Sequence, residues 1–332
     1  MLHLLRDAPI GEDGSIMVVR GSGQDPQRPR GAGPRIPAAA LLAGLALSAP
    51  RAQEGGIEIF AGETLFESGW RVSVTELYKP RRELFRGANE VADPLGREFL
   101  ESRTVLGLDY GLDRGITLSA LVPFVYRELE TGGRELTASG LGDIALLGKY
   151  RLLGQEWQGG AFNWSALGGL EIPTGATDAR EGGVRLPPMV QVGTGAWSPF
   201  AATSATLDLE RARFDATVFY KVNTEGTQDF ELGDFFSLTA LASYRFLHFK
   251  YPGPTFAARG GLQWRHESRA HRAGVTLADS GTDELLLRVG LSSHPVPAMD
   301  LSLDARVPVY TDYNGTQLAR GVELFLAVGL RF

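Results

Sequence analysis

The sequence predicts an all-β fold: a single transmembrane antiparallel up-and-down β-barrel of about 12 strands, with short periplasmic turns and longer extracellular loops. Three observations predict it. Apolar and polar residues alternate at a period of two from Trp70 onward, which places successive side chains on opposite faces of a sheet. Glycine is abundant, with 42 among 332 residues. No apolar run reaches the roughly 18 residues that a transmembrane helix needs.

The longest apolar run, residues 38–49, lies near the start of the chain. It follows three arginines between positions 28 and 35 and precedes small residues that end at Ala52. A basic flank, a short apolar centre and a small-residue exit are typical of a secretory signal peptide; a short buried helix is the alternative. The expected organisation is an upstream extension and removable signal over 1–52, a periplasmic or plug-like segment over 53–69, and the barrel over 70–332.

Twelve segments show the alternation, and the last shows it most clearly. Every even-numbered residue from Val322 to Phe332 is apolar, which suits a lipid-facing surface because about 9 to 11 tilted residues span a bilayer. Pro123 and Pro308 fall inside predicted strands, so we expect local bulges there. The predicted strands are near 70–78, 100–111, 115–127, 140–152, 161–172, 197–208, 211–223, 233–247, 255–266, 283–293, 299–310 and 321–332.

Link lengths alternate as well. Short links follow even-numbered strands, and longer links, near 79–99, 128–139, 173–196 and 267–282, follow odd-numbered ones. This asymmetry is typical of bacterial outer-membrane barrels, whose short turns lie in the periplasm. A secreted soluble β-sandwich is the alternative, but it does not need twelve long strands. The ending at Phe332 resembles the sorting signal of such barrels, so we expect outer-membrane lipid and the barrel-assembly machinery as partners.

The charged residues of the strands lie at the alternate positions, on the face opposite to the apolar one, and basic residues outnumber acidic residues on this face. Two interpretations stand: an Arg-rich lumen that attracts anionic or polar solutes, or charge pairs across strands that fill a narrow barrel. The residues expected to line the lumen are Arg103, Asp109, Asp143, Lys149, Arg151, Glu171, Arg211, Arg213, Lys221, Arg245, Arg259, Arg265, Glu284, Arg288, Asp304 and Arg306.

The strand number predicts a small, partly obstructed passage. Side chains fill a barrel of about eight strands, whereas about sixteen leave an aqueous channel. Two segments are candidates for the obstruction: residues 53–69, which precede the first strand, and the loop 173–196.

Other chemical motifs are weak. Residues 142–150 are similar to a phosphate-binding loop, but five residues separate the glycines and Tyr150 stands where Ser or Thr must meet Mg²⁺. His266 with Ser268 or Asp283 is the one local candidate for a hydrolase pair, and His266 with His271 has an odd spacing for a metal. The absence of cysteine excludes thiolate sites, and the net charge of −6 argues against nucleic acid. We therefore expect no catalytic residue, metal or cofactor.

Four short blocks resemble the outer-membrane barrel family named after the meta-cleavage pathway of phenol degradation. The resemblance covers roughly 100–332 in layout and is specific over 104–175. The blocks are Tyr110-Gly111-Leu112, Val122-Pro123-Phe124, Gly140 to Asp143 with Lys149-Tyr150-Arg151, and Ile172-Pro173-Thr174-Gly175.

The resemblance implies an outer-membrane uptake protein for aromatic or other hydrophobic compounds, and it supplies no catalytic or binding residues. The combined expectation is a channel or uptake protein, not an enzyme. Small aromatic, hydrophobic or anionic solutes would diffuse through its constricted Arg-rich lumen. A barrel hydrolase and a closed structural barrel without transport are the alternatives.

Overall fold

The computed structural model describes residues 61–249 and 253–332. The predicted signal peptide and upstream extension, and residues 53–60 of the predicted plug-like segment, lie outside the described residues. Within the described ranges, the one helical element is a single 3₁₀ turn at Thr227–Asp229. No helix in those ranges has the length and apolar character that spanning a membrane requires.

Twelve antiparallel strands form the barrel wall. Each pairs with its neighbours in the chain, and β1 pairs with β12, from Arg71 opposite Arg331 to Tyr78 opposite Leu324, which closes the barrel. The strands are β1 Trp70–Arg81, β2 Glu98–Gly111, β3 Ile116–Thr131, β4 Arg134–Leu141 continued by Ile144–Trp157, β5 Gly160–Ile172, β6 Ser198–Leu209, β7 Ala212–Lys221, β8 Phe235–His248, β9 Thr255–Glu267, β10 Thr282–His294, β11 Met299–Leu318 and β12 Glu323–Arg331.

The predicted fold class is confirmed, but one predicted loop is wrong. Residues 128–139 are not a long loop, because β3 and β4 continue as a ladder to Thr131 opposite Arg134. Gly132 and Gly133 make the turn with φ of 56° and 73°, the left-handed values that a two-residue hairpin turn needs and that glycine adopts readily. β11 is also longer than predicted, since its end pairs with the short strand Leu84–Gly87 of the first loop.

Both prolines inside strands coincide with the expected irregularities. In β11, Tyr310 lies opposite Leu285 and Pro308 opposite Leu286, so one residue between them bulges. At Pro123 the irregularity lies in the neighbouring strand: β4 is interrupted at residues 142–143. Proline has no N–H to donate across the ladder, and its carbonyl instead accepts the N–H of Gly142 at 2.8 Å.

The two faces of the wall differ as the alternation predicts. On β12, Leu324, Leu326 and Leu330 are 45–52% exposed, whereas Glu323 and Phe325 are 2% and 8% exposed. The exposed apolar face meets lipid in a membrane barrel. Glu76 is an exception on the outer face: its carboxylate accepts hydrogen bonds from the Ser102 hydroxyl, at 2.7 Å, and the Thr104 hydroxyl.

Candidate functional site: the barrel interior

The segment that precedes β1 lies against the inner wall. The Lys149 ammonium on β4 donates to the carbonyls of Ala61 and Glu63 at 2.9 and 3.0 Å. The backbone N–H of Gly62 donates to the Thr206 hydroxyl of β6 at 2.9 Å. The contacts run to β4 and β6, so the segment crosses the inner face of several neighbouring strands rather than following one.

An ion-pair network fixes the same segment to β6, β7 and β8. The Arg213 guanidinium holds both oxygens of Glu63, at 2.7 and 3.0 Å, and also reaches Asp215 at 3.0 Å and Asp208 at 3.4 Å. Arg245 pairs with Asp208 at 2.8 Å. Burial raises the pKa of Glu63, but the charge and hydrogen bonds of Arg213 outweigh it, so the pKa lies below its ordinary value of 4.5.

The long loop between β5 and β6, residues 173–197, folds into the opposite, extracellular end of the interior; we refer to it as the inward loop. Its side chains Leu186, Val190 and Val192 are at most 2% exposed. The Gln191 amide closes the loop on itself by donating to the Leu186 carbonyl at 2.8 Å, and the Arg127 guanidinium of β3 donates to the Gln191 carbonyl. The residues of the wall that pack against its apolar side chains are Phe99, Val125, Leu129, Leu136 and Ala138.

One cluster of buried charges lies inside β9 to β12. Arg320, in the link between β11 and β12, approaches Glu284 at 2.8 Å, Glu267 at 3.0 Å and Glu323 at 3.8 Å. Arg265 joins from β9, 3.3 Å from Glu323. These side chains are at most 4% exposed. Each charge has therefore lost its hydration, and the attraction of its ion-pair partners offsets that cost.

A second cluster surrounds Glu101 on β2. Arg127 approaches its carboxylate at 2.7 Å, Arg103 at 3.1 Å and Lys79 at 3.4 Å, and all four side chains are at most 7% exposed. Three cations therefore share one carboxylate, and one of them, Arg127, also donates to the inward loop. The local charge is net positive among these four residues.

An apolar patch occupies the inner wall from β4 to β8, and the sequence interpretation missed it. Leu147, Leu167, Phe200, Phe219 and Phe235 are at most 7% exposed and form one cluster. The Phe219 ring lies 5.6 Å from that of Phe200 and 6.0 Å from that of Phe235. The signal was present in the sequence, since these residues stand at the inner parity, but only charges were assigned there.

Most of the predicted lumen residues lie in ion pairs across the inner wall. Lys149 and Arg151 instead donate to backbone carbonyls, Asp143 accepts from the inward loop, and Arg288 is buried. The ion-paired residues are Arg103, Asp109, Glu171, Arg213, Lys221, Arg245, Arg259, Arg265, Glu284, Asp304 and Arg306. Arg211 departs from the expectation: it lies in the turn between β6 and β7 with its side chain exposed. That these side chains line a solute passage stays a prediction.

Two cavities of different size lie near the two ends of the barrel. A cavity of about 790 Å³ opens at the periplasmic end, where Leu65, Phe66, Arg114, Arg151 and Arg331 line it. At the extracellular end, the cavity between the inward loop and the next loop has a volume of only about 20 Å³, which is room for a water molecule.

The candidate hydrolase residues lie away from this interior. His266 stands at the outer parity of β9 beside the exposed Trp264, and its Nδ1 lies 2.9 Å from Asp283 of β10. The Ser268 hydroxyl accepts the backbone N–H of Asp234 at 2.7 Å, so it serves to join two loops. Among residues 61–249 and 253–332, no group of three or more His, Cys, Asp or Glu side chains is arranged to hold a metal ion.

Residues 99–328 match the family described as the putative MetA-pathway of phenol degradation. The chain belongs to this family. The match includes eleven of the twelve strands in whole or in part and confirms the resemblance seen in the short sequence blocks. With the closed barrel, it identifies the chain as a β-barrel of the bacterial outer membrane.

Similar solved structures are also outer-membrane barrels. The COG4313 outer-membrane channel from Pseudomonas putida F1 has a TM-score of 0.65 at 16% identity, over 85% of this chain and 100% of that one. The β domain of the Bordetella autotransporter BrkA has a TM-score of 0.44 at 11% identity, over 80% and 100% of the two chains. A FadL homologue from Pseudomonas aeruginosa has a TM-score of 0.39 at 9% identity, over 86% and 97%. No curated protein sequence matches the chain.

Proposed function

We propose that this barrel is a passive outer-membrane channel for small organic solutes that carry both an apolar group, such as an aromatic ring, and a negative charge. The observation that carries the proposal is the two-sided interior. The phenylalanine patch of Phe200, Phe219 and Phe235 occupies one part of the inner wall. The net-positive cluster of Lys79, Arg103 and Arg127 around Glu101 occupies another, on β1 to β3. The name of the similar Pseudomonas putida structure, an outer-membrane channel, supports transport as the function.

The chemistry of the two sides suits such a solute. A ring gains free energy when it moves from water onto aromatic side chains, and an arginine-rich wall of low dielectric attracts an anion. The segment before β1 and the inward loop narrow the passage at its two ends, so the proposed channel admits small molecules without energy coupling or a cofactor. Neither wall alone selects a solute that carries both groups.

Liposome swelling with permanently charged probes tests the proposal, because these probes do not cross a bare bilayer. We expect benzenesulfonate to enter faster than benzyltrimethylammonium, which has the ring with the opposite charge, and faster than methanesulfonate, which lacks the ring. Phe219→Ala is expected to remove the advantage of the ring, whereas Phe214→Ala, a change on the 48% exposed outer face of the same strand, leaves it unchanged. Swelling no faster than that of protein-free liposomes for every probe contradicts the proposal and favours a closed structural barrel.

We propose further that the protein is not an enzyme. The hydroxyl nearest in sequence to His266 is held by the Asp234 backbone, and the His266–Asp283 pair lies at the outer parity, so His266 does not act as the base for this hydroxyl. Formation of product from ester or peptide substrates by the purified barrel, and its loss in His266→Ala, is the result that overturns this view.

Export is proposed to remove residues 1–52 and to present Phe332 to the barrel-assembly machinery. Phe332 is 69% exposed, and its backbone exchanges hydrogen bonds with Trp70 at 2.8 and 3.0 Å, where the barrel closes. Deletion of Phe332 is expected to lower the amount of barrel in the outer membrane while the purified variant still refolds in detergent. Amino-terminal sequencing of the mature protein tests the cleavage.

A further inference from the structure

Three sequence blocks, far apart in the chain, meet at one point of the barrel wall. They are the blocks around Pro123 on β3, Gly142 in the interruption of β4, and Thr174 after β5. The Pro123 carbonyl accepts the Gly142 N–H at 2.8 Å. The Thr174 hydroxyl donates to the Gly142 carbonyl at 3.1 Å and accepts the N–H of Ile144 at 3.0 Å. Thr174 thus satisfies the backbone groups that the interrupted ladder leaves open.

The interruption directs the Asp143 carboxylate to both ends of the inward loop. One oxygen accepts the N–H of Gly175 at 2.9 Å. The other accepts the N–H and the hydroxyl of Thr194, at 2.8 and 2.7 Å. Hydrogen bonds to an ionised acceptor are stronger than those between neutral groups, and here a single side chain gathers three of them from the two stems of one loop.

The loop stems touch each other at the same place. A Cβ added to Gly175 would lie 2.6 Å from the Cα of Gly193 and 3.0 Å from the Asp143 carboxylate. Only glycine allows this approach, because real Cβ atoms essentially never come so close to another heavy atom. This contact holds the two stems together. A side chain that binds both stems therefore fixes the position of the whole inward loop.

We propose that Asp143 is the positioning residue that holds the inward loop inside the barrel and thereby sets how far the passage is closed at its extracellular end. Its carboxylate contacts both stems of the loop. The position of the loop does not depend on the proposed channel function; the effect on conductance does. A measurement of loop exposure and a measurement of current therefore separate the two.

Cysteine labelling measures loop exposure directly, because the natural chain contains no cysteine. Val190 in the inward loop is 0% exposed, so Val190→Cys places a thiol where a water-soluble maleimide reacts slowly. In this background we expect Asp143→Ala to raise the labelling rate at least tenfold. Asp143→Asn, which keeps one carbonyl acceptor, is expected to give a smaller increase. The heat-dependent gel migration of each variant confirms that the barrel is folded.

Asp93→Ala is the matched control. Asp93 lies in the extracellular loop between β1 and β2 and, like Asp143, accepts backbone N–H groups, from Leu95 at 3.1 Å and Arg97 at 2.8 Å. It does not contact the inward loop among its described hydrogen bonds. Its loss is expected to leave the labelling of Cys at position 190 unchanged.

Unchanged labelling in folded Asp143→Ala overturns the proposal, as does an equal increase in Asp93→Ala. If Asp143→Ala does not fold, the same comparison is made with Asp143→Asn and Thr194→Val, and unchanged labelling in both overturns it. Single-channel recording adds the second measurement: we expect a larger conductance in Asp143→Ala. Faster labelling without any current in any variant supports the positioning role of Asp143 and contradicts the channel function instead.

Discussion

The Arg213 guanidinium pairs both with Asp215 of the barrel wall and with Glu63 of the segment before β1, and so attaches this segment to the wall. The pH dependence of the attachment follows from the titration of Glu63. The pKa of Glu63 is lowered from 4.5 in the folded protein, because the charge of Arg213 outweighs the cost of burial. A lowered pKa stabilises the attachment at pH values above 4.5, and the stabilisation is lost as the pH falls through the lowered pKa. We therefore expect the segment to stay attached at neutral pH and to detach in strong acid.

Labelling of Leu65→Cys as a function of pH, with a reagent that reacts in acid, checks this. Glu63→Gln is expected to label fast at neutral pH also and to lose the acid-dependent increase. Glu67→Gln is the control, because Glu67 is 60% exposed and its described ion pair is a long one, 3.9 Å from Arg114, which is 87% exposed. An acid-dependent increase that survives in Glu63→Gln shows that another group controls the attachment.

Arg320 provides a prediction about stability. Arg320→Ala leaves the carboxylates of Glu267, Glu284 and Glu323 buried with less compensation, and breaking a buried pair in this way costs about 3 to 5 kcal/mol. Arg82→Ala removes a pair with Glu98 whose side chains are 67% and 53% exposed, and such a change costs less than about 0.5 kcal/mol. The free energy of unfolding in urea, with the barrel in lipid vesicles, compares the two. Equal costs would show that the buried cluster contributes no specific stability.

Residue parity predicts which side chains point inward, but it does not predict their partners. Arg265 and Glu323 are both at the inner parity, yet they belong to β9 and β12, and only the curvature of the closed wall brings them to 3.3 Å. Arg320, the centre of the same cluster, lies outside every predicted strand and has no parity to read. The contacts of the inward loop were equally hidden, because a loop has no period that fixes where it folds.

At the scale of the element, the strand positions were predictable because lipid requires an unbroken apolar face. The residues at which the strands end were less predictable. β3 and β4 continue beyond the lipid-facing part as a hairpin whose outward residues include Glu128 and Glu130, whereas Leu129, Leu136 and Ala138 are buried on its inner face. The apolar face of this hairpin is therefore the inner one, and the outer apolar face that marks the other strands ends before it. The interruption of β4 depends on Pro123 of the neighbouring strand, a cause that the sequence of β4 itself does not contain.

The depth of an outward residue on β12 predicts the cost of charging it. Leu326 lies near the middle of this strand and is 52% exposed to the surroundings of the barrel, so Leu326→Arg is expected to destabilise the barrel by about 2 to 4 kcal/mol. Val322, at the same parity just before the extracellular start of the strand, is the matched site, where Val322→Arg costs about 0 to 1 kcal/mol. Refolding equilibria in lipid vesicles measure both. Equal costs at the two depths would contradict the assignment of this face to lipid.

At the scale of the whole molecule, the proposed passage has two proposed constrictions in series: the segment before β1 at the periplasmic end and the inward loop at the extracellular end. Resistances in series add, so removing one constriction still leaves the other to limit the current. If the two are of similar resistance, deletion of residues 53–65 alone, or Asp143→Ala alone, at most about doubles the single-channel conductance.

The double variant is therefore expected to conduct more than the two single gains combined would give, because neither constriction then limits the current. Single-channel recording in one salt solution gives the four conductances that the comparison needs: those of the natural protein, the two single variants and the double variant. Unequal single gains identify the narrower constriction. A single variant that already reaches the conductance of the double variant shows that the other segment offers no resistance, and the closure then belongs to one end of the barrel alone.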